Sequence, residues 1–259
     1  MPKKKNSKSK KVKNYLILFR HGNSRWNHMN RFTGWVDIPL SEVGIYECLI
    51  SSKKLEGLQL DVAFCSELIR SKQSLYIILS KQDYTGVFIH PESKSNYKFH
   101  HKYFHADEIP IYSSVKLNER YYGSLQGMDK DEARKKFSEE QVFAWRRGWN
   151  VRPPDGESLK DTHKRVVPYF DSTIMPHVKQ GKNVIVSAHG NSLRAIIKHI
   201  EKIPDEDIPH LSFPTGQISI YTFEDGKFSR KDIIYSFDRP VHWKKLEEQQ
   251  NISNINIKF

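Results

Sequence analysis

Two short apolar runs along this chain end on the same pair of residues. Tyr15-Leu16-Ile17-Leu18-Phe19 runs into Arg20-His21-Gly22, and Val184-Ile185-Val186-Ser187 runs into Ala188-His189-Gly190-Asn191. Runs this short and this continuously apolar, each closed by a glycine turn, predict strands buried on both faces. The first strand is expected over Leu16–Phe19 and a central one over Asn183–Ser187. Leu60–Cys65 predicts a further short strand, and Ile218–Phe223 with Ile233–Phe237 predict a closing hairpin around Asp225-Gly226. Between the runs the spacing turns helical. Ser41–Leu55 reads as a helix with Ser41 as its N-cap, and Leu68–Leu79 carries Leu68, Leu75 and Leu79 near helical spacing. Asp129–Phe137 and Ser138–Arg147 predict two short polar helices. Ser158–Lys179 predicts a long helix disturbed near Pro168 and Pro176, and Asn191–Ile200 a helix after the central strand. Strands alternating with helices predict an α/β fold: a single three-layer domain with a mostly parallel central sheet and helices on both faces.

Three stretches fall outside that alternation, so the catalytic domain is expected over residues 14–240. Residues 1–13 hold seven lysines and no acid, have no apolar period and are expected to be a disordered basic tail. Residues 82–110 are polar and aromatic without a clear period, and read as a variable excursion or covering loop. Residues 241–259 read as a polar C-terminal tail, Asn- and Gln-rich from Lys244 onward.

Composition narrows the function classes. The 259 residues are 37% hydrophobic, which suits one large α/β domain. The net charge of +12 drops to +5 without the tail lysines, leaving 35 basic against 30 acidic residues. That remainder suits a domain that handles small anions. The lysine tail leaves nuclear access open, but nucleic acid is not expected as a partner. Only Cys48 and Cys65 are present, without metal spacing or a disulfide framework, which points to a reducing, cytoplasmic setting. No run approaches the roughly 18 apolar residues of a membrane span, and the lysine-rich start is no secretory signal. His90, His100, His101 and His105 share one stretch, but no cysteine and few acids accompany them, so no metal site is expected.

The two His-Gly turns carry the chemistry. Either alone is most simply a turn. Together, at the ends of two buried strands, they put two imidazoles at the carboxyl edge of a sheet, where open α/β sheets present ligand-binding groups. One imidazole could accept a phosphoryl group and the other stabilise it in flight. Around them run Arg20-His21-Gly22-Asn23-Ser24-Arg25-Trp26-Asn27, Arg31-Phe32-Thr33-Gly34-Trp35-Val36-Asp37, Leu117-Asn118-Glu119-Arg120-Tyr121-Tyr122-Gly123, Trp145-Arg146-Arg147 and Pro153-Pro154-Asp155-Gly156-Glu157-Ser158. These strings closely resemble the cofactor-dependent phosphoglycerate mutases of the histidine phosphatase superfamily, from about Tyr15 to about Phe223.

The resemblance implies that His21 forms a phosphohistidine, a role for which a neutral imidazole is suited. It implies that Arg20, Arg70 and His189 stabilise the moving phosphoryl group, together with Asn27 and Ser24, and that Glu119 is the general acid/base. A second grip, on the carboxylate or outer phosphate, falls by the same resemblance to Arg146, Arg147, Lys130 and Tyr122, with Thr33, Gly34, Gly190 and Asn191 completing the substrate site. The implied reaction interconverts 3-phosphoglycerate and 2-phosphoglycerate in glycolysis and gluconeogenesis, primed by 2,3-bisphosphoglycerate and needing no metal. A homo-oligomer, dimer or tetramer, is implied as well. Asn23 stands where these mutases usually carry Glu, and their usual C-terminal tail is not recognisable after Phe237. Both departures leave open a balance shifted toward a histidine phosphatase or a bisphosphoglycerate mutase or phosphatase. A non-catalytic binding protein working through its basic tail is a third alternative.

Overall fold

In a computed structural model the described residues are 13–90, 105 and 107–236. Most of the lysine tail, the C-terminal tail, and His100 and His101 therefore lie outside the described residues. In chain order the elements are β1 (Asn14–Arg20), α1 (Arg25–His28), α2 (Glu42–Lys54), β2 (Val62–Ser66), α3 (Ile69–Leu79), β3 (Thr85–Ile89) and β4 (Glu108–Ser114). They continue with α4 (Lys130–Phe137), α5 (Glu139–Arg147), α6 (Leu159–Tyr169), α7 (Met175–Lys179), β5 (Val184–Ala188), α8 (Gly190–Glu201), β6 (Ile218–Glu224) and β7 (Lys227–Ile234).

One sheet holds the seven strands in the order β3-β4-β2-β5-β1-β6-β7. The first five run parallel, whereas β6 is antiparallel to β1 and β7 to β6. The apolar runs are continuous because both faces of the central strands are covered. Leu16, Leu18, Phe64 and Val186 pack on one face with Val166 of α6, Val178 of α7 and Ile196 of α8. Ile17, Phe19, Ala63 and Ile185 pack on the other with Cys48 of α2 and Leu75 and Ile78 of α3. The fold is thus a three-layer α/β domain. No helix among the described residues is long and apolar enough to cross a membrane.

Two local features differ from the sequence pattern, and a third follows it. Strand β3 and the start of β4 lie inside the stretch read as an excursion, and the two strands pair in parallel from Thr85↔Glu108 to Ile89↔Tyr112. β3 is the edge of the sheet and only its Ile89 is buried, so polar residues interrupt its apolar period. At the other edge, Asp225 and Gly226 both take positive φ, 51° and 80°, and Glu224 pairs directly with Lys227. The last strand therefore starts at Lys227, well before Ile233, and its charged first residues conceal it in the sequence. The long helix is divided as the prolines suggested. Pro168 lies within α6, a π-type turn follows at Phe170–Ile174, and Pro176 falls in the first turn of α7, where its missing N–H is tolerated.

A smaller apolar cluster of Phe32, Leu125, Ala133, Val142 and Trp145 ties the α4–α5 pair to the segment after α1. Backbone bonds from Phe32 N to Met128 O (3.0 Å) and from Gly127 N to Phe32 O (2.8 Å) fix that attachment. The α4–α5 pair thereby becomes a roof over the carboxyl ends of β1 and β5.

Candidate active site

The register of the two central strands creates the site. Arg20 stands opposite Ala188, so the next residues on each strand, His21 and His189, emerge side by side with ring centroids 4.8 Å apart. The His21 backbone N–H donates to the Ala188 carbonyl at 3.0 Å and holds the two strand ends together. His21 Nδ1 lies 2.6 Å from its neighbour's carbonyl, Gly22 O. A carbonyl only accepts, so Nδ1 carries the proton and Nε2 keeps its lone pair. Burial, followed by the guanidinium charges of Arg70 and Arg20, holds the imidazole well below its ordinary value. The ring is therefore neutral and nucleophilic at physiological pH.

Glycine is required where the chain turns after His21. A Cβ on Gly22 would lie 2.3 Å from Gly44 O and 2.9 Å from Cys48 Sγ, because the first turn of α2 packs directly against this loop. The Gly22 N–H donates to Ser74 Oγ at 3.0 Å and the Asn23 N–H to Glu47 Oε2 at 2.6 Å, so His21 sits on a loop fixed from below.

The second imidazole is completely buried. His189 Nε2 lies 2.6 Å from Ser66 Oγ, which already accepts the Leu68 N–H at 3.2 Å. That contact leaves Nδ1 as the ring's other nitrogen. That Nδ1 is buried without a hydrogen-bond partner, as are Arg20 Nε and Thr33 Oγ1. Arg20 and Thr33 both line one cavity, where orphaned buried polar groups point to an anion as their partner. Burial, then Arg70, His21 and Arg20, keeps His189 well below its ordinary value too.

Arg70, fully buried on α3, donates Nη2 to Gly34 O at 2.7 Å and Nη1 to Val36 O at 3.0 Å. Burial lowers it to about 10, still above the working range, so it stays charged. Arg20 donates to Phe213 O, and its guanidinium approaches Gly190 so closely that a Cβ there would be 3.2 Å from Cζ. Asn27 Oδ1 accepts from the Ser24 N–H at 3.2 Å, which fixes the amide orientation and leaves the Nδ2 donors for the cavity. Glu119 enters from the loop after β4. Its Oε1 accepts the Arg120 N–H at 2.8 Å and the Asn191 N–H, at the start of α8, at 3.1 Å, and Oε2 takes part in neither bond.

A cavity of about 130 Å³ connects these groups to the roof, from which Lys130, Arg146 and Arg147 descend. Burial, then the charges of Arg146, Arg20 and Arg134, lowers Lys130 to about 7. Arg147 donates to the carbonyls of Pro209 and Leu211, both at 2.9 Å. Tyr122 Oη accepts from Arg120 Nη2 at 2.9 Å and from Asn191 Nδ2 at 3.3 Å.

Most residues singled out from the sequence line this cavity: Arg20, His21, Asn27, Thr33, Gly34, Arg70, Glu119, Tyr122, Lys130, Arg146, Arg147, Gly190 and Asn191. His189 stands behind His21, not on the cavity wall, and Ser24 caps α1 instead of lining the cavity. Arg31, Phe32, Phe213 and Arg194 also line it and were not singled out. Arg194 follows Asn191 by three residues on α8 and donates Nη1 to its Oδ1 at 2.8 Å, so helical spacing from the His-Gly-Asn turn was a usable signal. Phe213 lies on a loop distant in sequence and had no such signal. Among the described residues no group of three or more His, Cys, Asp or Glu side chains is placed to hold a metal ion.

A model of the histidine phosphatase superfamily (branch 1) matches residues 16–92 and 102–234. A 2,3-bisphosphoglycerate-dependent phosphoglycerate mutase of Methanosarcina acetivorans is 47% identical over 235 residues, covering 84% of this chain and 95% of that protein. The protein of the same name from Chlamydia muridarum is 42% identical, covering 85% and 98%. Among solved structures, a mycobacterial glucosyl-3-phosphoglycerate phosphatase aligns with a TM-score of 0.65 at 18% identity, over 86% of this chain and 98% of that one. At that identity the likeness concerns the fold alone.

Proposed function

Because the chain belongs to the histidine phosphatase superfamily, and within it to the 2,3-bisphosphoglycerate-dependent phosphoglycerate mutases, we propose that it interconverts 3-phosphoglycerate and 2-phosphoglycerate through a phosphohistidine on His21. The reaction belongs to glycolysis and gluconeogenesis, and we place it in the cytoplasm, a setting in keeping with two free, buried cysteines. The observation that carries the proposal is a single cavity with cations on both walls and a carboxylate between them. A plain phosphatase needs only the His21 side. The grip of Lys130, Arg146 and Arg147 suits a second anionic group on the same small molecule.

The orphaned Arg20 Nε and Thr33 Oγ1 on one side, and the roof cations on the other, fit 2,3-bisphosphoglycerate. When bound, it supplies the phosphoryl group that loads His21. His21 Nε2 attacks phosphorus in line, while Arg20 and Arg70 spread their charge over the equatorial oxygens and His189 supports the reacting imidazole from 4.8 Å away. Glu119 protonates the departing alkoxide and, on the return, takes the proton from the attacking hydroxyl. Loaded His21 passes its phosphoryl to the free hydroxyl of 3-phosphoglycerate and takes back the one on the neighbouring carbon. The roof cations hold the molecule through both transfers and keep water from competing.

The test is a coupled assay of 3-phosphoglycerate conversion, with and without 2,3-bisphosphoglycerate, run beside phosphate release. Conversion that depends on the bisphosphate and exceeds phosphate release is the expected result. Phosphate release with little conversion would overturn the mutase reading in favour of a phosphatase.

A further inference from the structure

Behind the loop that carries Glu119 lies an arginine that the reaction itself does not use. Arg165 sits on α6, 46 residues from Glu119, with its side chain 13% exposed. Its Nη1 donates to the carbonyls of Val115 (3.2 Å), Lys116 (2.9 Å) and Asn118 (3.1 Å). Its Nη2 donates to the Glu119 carbonyl at 3.2 Å and to Glu157 Oε2 at 2.8 Å, and its Nε to Glu157 Oε1 at 3.2 Å. Glu157 holds the guanidinium from behind and also accepts the Tyr121 N–H, at 3.0 Å through the same Oε2. The Glu119 carbonyl has a second donor, Trp35 Nε1 at 2.5 Å, and the Arg165 guanidinium stacks 5.4 Å from the Trp35 ring centroid.

We propose that Arg165, locked by Glu157 and paired with Trp35, is a positioning residue that sets the Glu119 carboxylate against the reacting hydroxyl. One planar fork collects the carbonyls of four residues between Val115 and Glu119, and so fixes the peptide from which the carboxylate projects. The carboxylate's own anchors, the N–H groups of Arg120 and Asn191, hold Oε1 only once that peptide is in place. A proton donor displaced by a fraction of an ångström loses transfer efficiency while the cationic grip on substrate is untouched. The effect therefore falls on kcat and not on KM.

This inference rests on the acid/base reading of Glu119, and a double-mutant cycle separates the two. Glu119→Gln, Arg165→Gln, Arg165→Lys and the Glu119→Gln/Arg165→Gln double variant are compared for mutase kcat and KM, with thermal melts to confirm folding. Arg165→Gln should lower kcat about tenfold or more with KM within about twofold, and Arg165→Lys, which keeps charge but not the fork, should recover only part of the loss. In the Glu119→Gln background, Arg165→Gln should cost nothing further, because the group it positions is already disabled. Losses that multiply in the double variant, or a wild-type kcat in Arg165→Gln, would overturn the proposal. A loss below about tenfold in Glu119→Gln would instead sink the acid/base reading itself. If the Arg165 variants do not fold, Trp35→Phe removes the other donor to the same carbonyl and runs the same cycle; multiplying losses there overturn the proposal equally.

Discussion

Lys130 should make substrate binding depend on pH across the neutral range. Its ammonium is buried beside Arg146, Arg20 and Arg134 and falls to about 7, and only the protonated form attracts an anion. In the free enzyme about nine-tenths of it is charged at roughly pH 6 and about one-tenth at roughly pH 8. Apparent affinity scales with the competent fraction, so the KM for 3-phosphoglycerate should rise about tenfold between those pH values, about 1.4 kcal/mol. Lys130→Arg keeps its charge throughout and should remove that rise. The assay is the coupled mutase reaction at saturating 2,3-bisphosphoglycerate, with KM measured across the range for both enzymes. Ionisation of the substrate is common to both and cancels in their ratio. Parallel KM profiles for wild type and Lys130→Arg would refute the assignment. The same shift has a sign for stability. Between about 7 and the ordinary lysine value the unfolded chain holds a proton that the folded one has released, so this site increasingly favours the folded state as pH rises through that window.

Three further outcomes follow from the geometry. His21→Ala should abolish phosphoenzyme and mutase turnover together, measured by phosphate labelling and the coupled assay; turnover that survives without phosphoenzyme would contradict the mechanism. Glu119→Gln should lower kcat by roughly a hundredfold to ten-thousandfold with little change in melting temperature, because the amide oxygen can still accept the N–H groups of Arg120 and Asn191. Gly22→Ala should destabilise the protein by about 1–3 kcal/mol in chemical denaturation, the usual scale of overpacking, since its Cβ would meet Gly44 O at 2.3 Å; a change under about 0.5 kcal/mol would show that α2 gives way easily.

The central strands and the site were legible in the sequence, and the sheet edges were not. β1, β2 and β5 are covered on both faces, so their residues had to be apolar in unbroken runs. β3 and β7 are edge strands, free to carry Thr85, Lys227 or Asp232, and the period that betrays a strand is lost. Among site residues, those held by local motifs were readable: His21 and His189 by the strand-to-glycine turn, and Glu119 with Tyr122 by their string. Arg194 and Phe213 reach the cavity only through the packing of α8 and the loop before β6. Ser24 was read with the site because of its place in the first string, but its hydroxyl is spent on capping α1 and orienting Asn27.

In the proposed reaction, the field that grips the substrate also prepares the nucleophile. Seven cationic side chains and a single carboxylate, Glu119, line the cavity. One phosphate group, at about −1.5 to −2, leaves most of that charge unmatched, so the cavity is suited to a ligand anionic at both ends. Before the ligand arrives, the surplus pushes protons off its neighbours. It contributes to the lowering of Lys130 and, through Arg70 and Arg20, to that of His21. Anion binding cancels part of this repulsion, which should favour protonating the very imidazole that must attack. His21 resists that pull because burial, not the arginines, is the leading cause of its shift. In the neutral ring the Nδ1–H bond to Gly22 O places the lone pair on Nε2, while that same bond favours protonation and so works against burial.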